Sequence, residues 1–290
     1  MQKKVVGIGE ILWDVFPEGK VLGGAPANFA YHATQLGLEG YAISAVGKDD
    51  LGDQIWEVLK GKPLQYRLEE TAFPTGTVKV TLNGNGIPEY EICENVAWDN
   101  IPLTNEMKEL AKQADAVCFG SLAQRHQVSR ATIQAFVGLV SPKALKIFDI
   151  NLRQSFYNKA IIVDSLNMAN VLKINEEELV RVAELLEIKA TDESQICKIL
   201  MDDYDLNIVV LTRGENGSYV FSKNETSFLE TPKVEVADTV GAGDSFTGAF
   251  AAGLLNGDAI AKAHKSAVEV SAFVCTQKGS MPLLPSGLLK

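Results

Sequence analysis

The sequence predicts an α/β protein in which a layered main domain of alternating strands and helices carries a small β appendage. Three observations point there. Short apolar runs such as KVVGIG (4–9) and NIVVLTRG (207–214) alternate with helix-like stretches through most of the chain. Between 63 and 98 that rhythm gives way to period-two alternation and an Asn-Gly turn signal. A length of 290 residues accommodates one large core with an appendage.

Taken in order, KVVGIG is a first buried strand. GGAPANFAYHATQLG (23–37) then gives a turn and a helix whose Ala27, Ala30 and Ala33 form a slim face. EGYAISAVG (39–47) is a strand, and DDLGDQIWEVLK (49–60) a helix with acids in its first turn. TGTVKVTLNGNGIPEYEI (75–92) alternates through Val78, Val80 and Leu82 and reads as a hairpin of a small antiparallel sheet. LWDVFPEGKVLGG (12–24) supplies the other strands of that sheet.

The α/β rhythm resumes at 104. TNEMKELAKQA is helical, DAVCFGS a strand, and SRATIQAFVGLV a helix from Ser129. LKIFDIN is a strand and NMANVLKI contains another. NEEELVRVAELL and TDESQICKILM are helices, and NIVVLTRG is a strand continued by the hairpin arm ENGSYVFS. FTGAFAAGLLNG and IAKAHKSAVEVSAFVCTQ close the chain as two helices.

Composition removes several classes of function. Thirty-seven acids against twenty-seven Lys and Arg give a net charge of −10, which disfavours nucleic acid and anionic lipid as partners. No run of 18 apolar residues is present, so no membrane span is expected, and the N-terminus reads as a strand rather than a signal peptide. Cys93, Cys118, Cys197 and Cys275 form no CxxC pair and read as thiols of a reducing, cytoplasmic compartment. The histidines His32, His126 and His264 lack metal-ligand spacing. Leu12 stands where a dinucleotide fingerprint needs its third glycine, and no GxxxxGK[ST] loop exists, which disfavours a Rossmann oxidoreductase and a P-loop enzyme.

DTVGAGDSFTGAF (238–250) is the most informative stretch. Gly241 and Gly243 mark a sharp bend or a close backbone approach just before a helix. Asp244 reads in two ways there. It caps the helix, or it accepts the proton of an attacking hydroxyl while N–H groups of 242–244 receive a phosphoryl group. Asn175-x-x-Glu178 fits a capping box. Asp149, Asn151 and Arg153 follow a strand, where loops build sites; Arg153 either neutralises phosphoryl charge or pairs with Asp149.

With these motifs in order, the chain resembles the ribokinase (PfkB) family of carbohydrate kinases, and within it most closely the bacterial fructokinases. GEILWD, GGAPANFAYHATQLG, VGKDDLGD, PTGTVKVTL, FDINLR, KINEEEL, TRGENGSYVF, DTVGAGDSFTGAF and GSMPLLP match along almost the full length. The resemblance implies a three-layer fold, a mostly parallel central sheet flanked by helices, with a β lid from about 12–24 and 63–98. It implies ATP-dependent phosphorylation of a free sugar, foremost fructose to fructose 6-phosphate, with ATP and Mg2+ as cofactors. Another furanose, a nucleoside or a keto-deoxy sugar acid is the same-fold alternative, and a catalytically silent sugar-binding protein the more distant one.

By the same resemblance Asp244 is the general base, and Gly241, Ala242 and Gly243 line the anion hole. Asp14, Gly23, Gly24, Asn28 and Arg153 meet the sugar. Asp14 reads equally as a turn carboxylate beside Pro17 and Glu18, and Asn28 as a residue of a helix's first turn. Thr212, Arg213 and Gly214 meet the nucleotide, although Arg213 reads equally as a solvated strand-end charge. Asn175 and Glu178 organise magnesium and phosphate. Asp238 and Val240 stand near a monovalent-cation position, which leaves K+ dependence open. Ser266, Val270 and Phe273 mark the neighbourhood of the adenine pocket. Phe29, Tyr90 and Trp98 either cover the sugar or fill the core. A homodimer is left open.

Overall fold

The computed structural model of the protein describes residues 2–16, 19–82 and 88–289. β1 (Lys4–Ile8) opens the main sheet, and β2 (Leu12–Phe16) and β3 (Gly19–Gly23) leave it for a second sheet. α1 (Ala25–Gln35), β4 (Glu39–Gly47), α2 (Asp50–Lys60) and β5 (Gln65–Thr71) return to the main sheet. β6 (Gly76–Leu82) and β7 (Pro88–Ile92) complete the small one. There follow α3 (Asn105–Gln113), β8 (Ala116–Phe119), α4 (Gln127–Leu139), β9 (Leu145–Asp149), α5 (Lys159–Met168) and β10 (Val171–Asn175). The chain continues through α6 (Glu176–Leu186), α7 (Glu193–Asp203), β11 (Ile208–Thr212), β12 (Ser218–Ser222) and β13 (Thr226–Leu229), and ends with α8 (Ala242–Leu255) and α9 (Ile260–Cys275).

The main sheet has nine strands in the order β13-β12-β11-β10-β9-β8-β1-β4-β5. All neighbours from β11 to β5 are parallel, and the β11-β12-β13 edge is antiparallel. Both faces of its central strands are buried, and alternate residues serve opposite layers. Val6, Val117 and Phe148 point into one core with α3–α7; Val5, Ala116 and Ile147 point into the other, with α1, α8 and α9. A third cluster joins Ile11 and Trp13 to Ile55 and Leu59 of α2.

The slim face of α1 has a physical purpose. Ala27, Ala30 and Ala33 are buried, and α1 packs on α8. A Cβ on Gly248 of α8 would lie 2.7 Å from the Phe29 carbonyl oxygen. Only a hydrogen at that position lets the two helices approach.

The small sheet runs β3-β2-β6-β7. It is mixed rather than purely antiparallel, because β2 and β6 are parallel. Residues 65–71 also depart from expectation: they form β5 and extend the main sheet beside β4. Alternation predicts a strand but not which sheet edge it joins. The Pro17-Glu18 bend and the Asn83–Gly86 turn lie outside the described residues. α5 and the exposed edge strand β13 were not anticipated by the sequence pattern; α5 mixes its apolar and polar residues, and Asn158 caps it by accepting from Ile161 N at 2.9 Å. Among the described residues no helix is long and apolar enough to cross a membrane. All four cysteines are free, Cys118 and Cys197 buried and the other two half-buried.

Candidate active site

The chain leaves β1 toward β4 on one side and later returns to β8 on the other, so β1 is the point where strand order reverses. Crevices open at the carboxyl ends of strands at such a point. Here a cleft of about 1420 Å³ runs from the small sheet across the ends of β1, β9, β10 and β11 to the start of α8. Its apolar wall includes Leu12, Val78, Ile92 and Leu122.

Gly241 caps α8 with φ 78, in the left-handed region. A Cβ there would lie 2.6 Å from Ser280 Cβ, so the bend needs glycine for both conformation and space. The first intrahelical bond is Ser245 N–H to Gly241 O at 2.8 Å, which leaves the N–H groups of Gly243 and Asp244 ahead of the ladder. Ala242 N–H instead reaches back to Thr239 O at 3.2 Å. All four residues, Gly241 to Asp244, line the cleft.

Asp244 is therefore not the cap. It sits in the first turn, buried, and its Oδ2 accepts a 2.8 Å hydrogen bond from Asn28 Nδ2. Burial, reinforced by the charge of Asp149, raises its pKa to about 6, while the Asn28 amide, Lys173 and Arg153 oppose the rise. Such a carboxyl is ionised at neutral pH yet is a stronger base than an exposed aspartate.

The structure brings Asp14, Gly23, Gly24, Asn28 and Arg153 to the same cleft as Asp244. A Cβ on Gly23 would stand 2.6 Å from Asp14 Oδ2, so Gly23 makes room for that carboxylate. Burial raises Asp14 to about 6, and the Arg153 charge tempers it. Gly24 starts α1 with φ 136, and a Cβ there would meet the Glu10 carbonyl at 2.6 Å. Arg153 does not pair with Asp149. Its guanidinium donates to Leu152 O (3.1 Å) and Asn151 Oδ1 (3.2 Å), while Asp149 is taken by Lys173 and Thr247. Asn151 is held at φ 46, a conformation uncommon for a non-glycine residue.

The capping box on α6 forms: Glu178 N donates to Asn175 Oδ1 at 2.8 Å, and Asn175 N donates to Glu178 Oε2 at 3.0 Å. Glu178 Oε1 accepts in addition from Leu152 N at 2.9 Å, tying the Arg153 loop to α6. Asn175 lines the cleft; Glu178, buried behind it, is not part of the lining.

Thr212 and Gly214 line the cleft, but Arg213 turns away to Glu193 (3.0 Å) and Glu176 (3.7 Å). Asp238 stands behind the wall, accepting from Val240 N (3.0 Å) and Gly279 N (3.1 Å), while Val240 itself is exposed to the cleft. On α9 the face presented is Val268, Ser271, Ala272 and Cys275 rather than Ser266, Val270 and Phe273; Val270 is core. Phe29 and Trp98 are likewise core residues and do not cover the cleft. The Tyr90 side chain lies outside what the structure describes.

Two buried charged residues of the cleft were missed by sequence reasoning. Lys173 is buried, and its Nζ lies 2.9 Å from Asp149 Oδ1. A Cβ on Gly243 would meet that Nζ at 2.9 Å, so the ammonium sits directly under the bend. Its signal was a charge inside the apolar strand VLKIN. Glu10, just past β1, is buried with Oε2 unpartnered among the described residues. Burial raises it to about 7, with the Asp244 charge adding to the rise.

The site thus places a buried carboxylate, amide hydrogen-bonding groups, an unladdered helix start and a buried cation within one cleft. A model of the pfkB family carbohydrate kinases matches residues 12–286. The ATP-dependent 6-phosphofructokinase of Thermoanaerobacterium thermosaccharolyticum is 27% identical over 97% of this chain and 90% of its own. Fructokinase-2 of Oryza sativa subsp. japonica is 27% identical over 97% and 91%. The crystal structure of Vibrio cholerae fructokinase, solved with fructose, ADP and calcium ion, superposes with a TM-score of 0.82 at 24% identity, covering 99% of this chain and 98% of that one. Family match, full-length relatives and shared fold agree: the chain belongs to the pfkB family of carbohydrate kinases.

Proposed function

We propose that the protein transfers the γ-phosphoryl group of ATP to the primary hydroxyl of a free ketohexose, foremost fructose, giving fructose 6-phosphate and ADP. The observation that carries this reading is Asp244, buried at the start of α8, ionised near neutrality and aimed by Asn28. Asp14 and the Gly23-Gly24 backbone hold the sugar, whose hydroxyls suit carboxylate and main-chain partners.

Asp244 takes the hydroxyl proton as the sugar oxygen bonds to the γ-phosphorus. The bond from that phosphorus to the bridging oxygen breaks, and ADP leaves with the electron pair. The N–H groups of Gly243 and Asp244 and the Lys173 ammonium compensate charge on the transferring group. Thr212, Gly214 and α9 border the nucleotide half of the cleft. Among the described residues no three carboxylate, histidine or cysteine groups form a metal site. Asn175, at the cleft, would help hold magnesium brought by the nucleotide, with Glu178 orienting Asn175 through the capping box. When bound, the ion neutralises phosphate charge. Asp238 and Val240 are the positions for a monovalent cation, with potassium the candidate.

Three carboxyl groups, Glu10, Asp14 and Asp244, border the acceptor half and favour a neutral sugar. Arg153 at the same end supports the second reading, an anionic acceptor. A coupled ATP assay across fructose, ribose, adenosine, keto-deoxygluconate and fructose 6-phosphate separates them. Fructose should give the highest kcat/KM. A value for fructose tenfold or more below any other acceptor removes the assignment.

A further inference from the structure

Behind Asp244 a chain of buried polar groups runs away from the cleft. Asn28 Nδ2 donates to Asp244 Oδ2 at 2.8 Å. Ser280 Oγ donates to Asn28 Oδ1 at 2.9 Å. His32 Nε2 lies 2.8 Å from the main-chain oxygen of Ser280. Asp244, Asn28, Ser280 and His32 are all buried. The carbonyl can only accept, so the His32 proton sits on Nε2, and burial keeps that ring neutral by lowering its pKa to about 4.

Asp244 dictates the direction of this chain. An ionised carboxylate has no proton to give, so only the NH2 end of the Asn28 amide can face it. Asn28 Oδ1 is then turned inward and needs a donor, which the Ser280 hydroxyl supplies. With no hydroxyl at 280, that orientation buries an unsatisfied acceptor, at a cost comparable to a lost hydrogen bond. The flipped amide puts its oxygen against Asp244 and is tolerable only when the carboxyl is protonated. Amide orientation and Asp244 protonation are therefore coupled.

Ser280 is itself fixed. Its neighbour Gly279 donates to Asp238 Oδ2 at 3.1 Å, and Ser280 fills the space that the missing Gly241 side chain leaves. One short segment thus packs on the bend before α8 and holds the amide behind Asp244.

We propose that Ser280 is a positioning residue for the base: its hydroxyl locks the Asn28 amide with Nδ2 toward Asp244, keeping that carboxylate ionised and aimed at the acceptor. The proposal rests on the reading of Asp244 as the base. The other charges that act on Asp244 are Asp149 from β9, Arg153 from the loop after β9, Lys173 from β10 and Glu10 from beyond β1. A substitution at 280 removes none of them, so its effect is read through Asn28.

The test is a carboxyl-carbon NMR titration of the full-length protein, with the Asp244 signal assigned by its loss in Asp244→Asn. It is paired with the pH profile of kcat/KM on whichever sugar is turned over. The base must be ionised, so the rate falls as pH drops through the Asp244 pKa, and a raised pKa moves that acid limb to higher pH. Ser280→Ala should raise both readings by on the order of half a unit to one unit. Ser280→Thr, which keeps the hydroxyl, should leave both at the wild-type position. An unmoved pKa in Ser280→Ala overturns the proposal, and so does an equal shift in Ser280→Thr, which would assign the effect to packing. Should Ser280→Ala not fold, Asn28→Ala removes the donor itself and must raise the pKa at least as far; an unchanged value overturns the proposal. A wild-type acid limb that fails to follow the Asp244 carbon instead removes Asp244 as the base, and leaves the carboxyl titration standing as the test of Ser280.

Discussion

Lys173 Nζ lies 2.9 Å from Asp149 Oδ1, both side chains buried beneath the bend that opens α8. Thr247 Oγ1 takes the other carboxylate oxygen at 2.8 Å, so Asp149 is fully engaged. Burial alone would lower the Lys173 pKa, yet Asp149, Glu178 and Asp244 outweigh it and hold the pKa above the ordinary lysine value. A fixed positive charge therefore stands under Gly243 at neutral pH.

Lys173→Met should cost stability and turnover together. Removing one partner of a buried pair leaves an uncompensated charge, typically costing about 3–5 kcal/mol in denaturant unfolding. The double variant Lys173→Met/Asp149→Asn should recover most of the stability but not the turnover. Recovery of both in the ATP-coupled assay would make the ammonium purely structural.

Glu10→Gln should stabilise the protein at alkaline pH. The folded-state pKa of Glu10 is raised from 4.5 to about 7, chiefly by burial. Its stability contribution is therefore fully present below pH 4.5 and is lost as pH rises through about 7. Unfolding free energies at pH 8 should favour the glutamine variant by a few kcal/mol, with the difference vanishing near pH 4. Equal stabilities at pH 8 would mean that the carboxylate has a partner when ionised.

Glu178→Ala should loosen the loop that carries Arg153. The substitution removes acceptors for Asn175 N and Leu152 N, a loss of roughly 0.5–2 kcal/mol by analogy with helix caps. The acceptor KM should rise more than the ATP KM if Arg153 serves the acceptor half. The reverse pattern in steady-state kinetics would move Arg153 to the phosphate half.

The two glycine-rich signatures were legible because each uses residues that only a tight bend requires, and the structure sets both on one cleft. The layered fold was legible from alternation: Val5 and Val6 face opposite cores as a doubly covered sheet demands. What stayed hidden depends on partners distant in sequence. Arg213 read equally as a nucleotide contact or a free charge until Glu193 on α7 came within 3.0 Å. Asn28 read as a sugar contact or a first-turn residue, and its 2.8 Å bond to Asp244 spans 216 residues. β5 looked like lid because an alternating strand does not announce its sheet, and α5 lacked the apolar stripe that marks a surface helix.

Asp244→Asn tests the central claim most directly, in a sugar-dependent ATP-coupled assay on a variant whose fold is verified by unfolding. The amide keeps an acceptor for Asn28 and removes a buried charge, so stability at neutral pH should hold or rise. With the proton acceptor gone, kcat should fall by roughly 10²–10⁴. Turnover comparable to the wild type, still strictly dependent on sugar, would contradict the account.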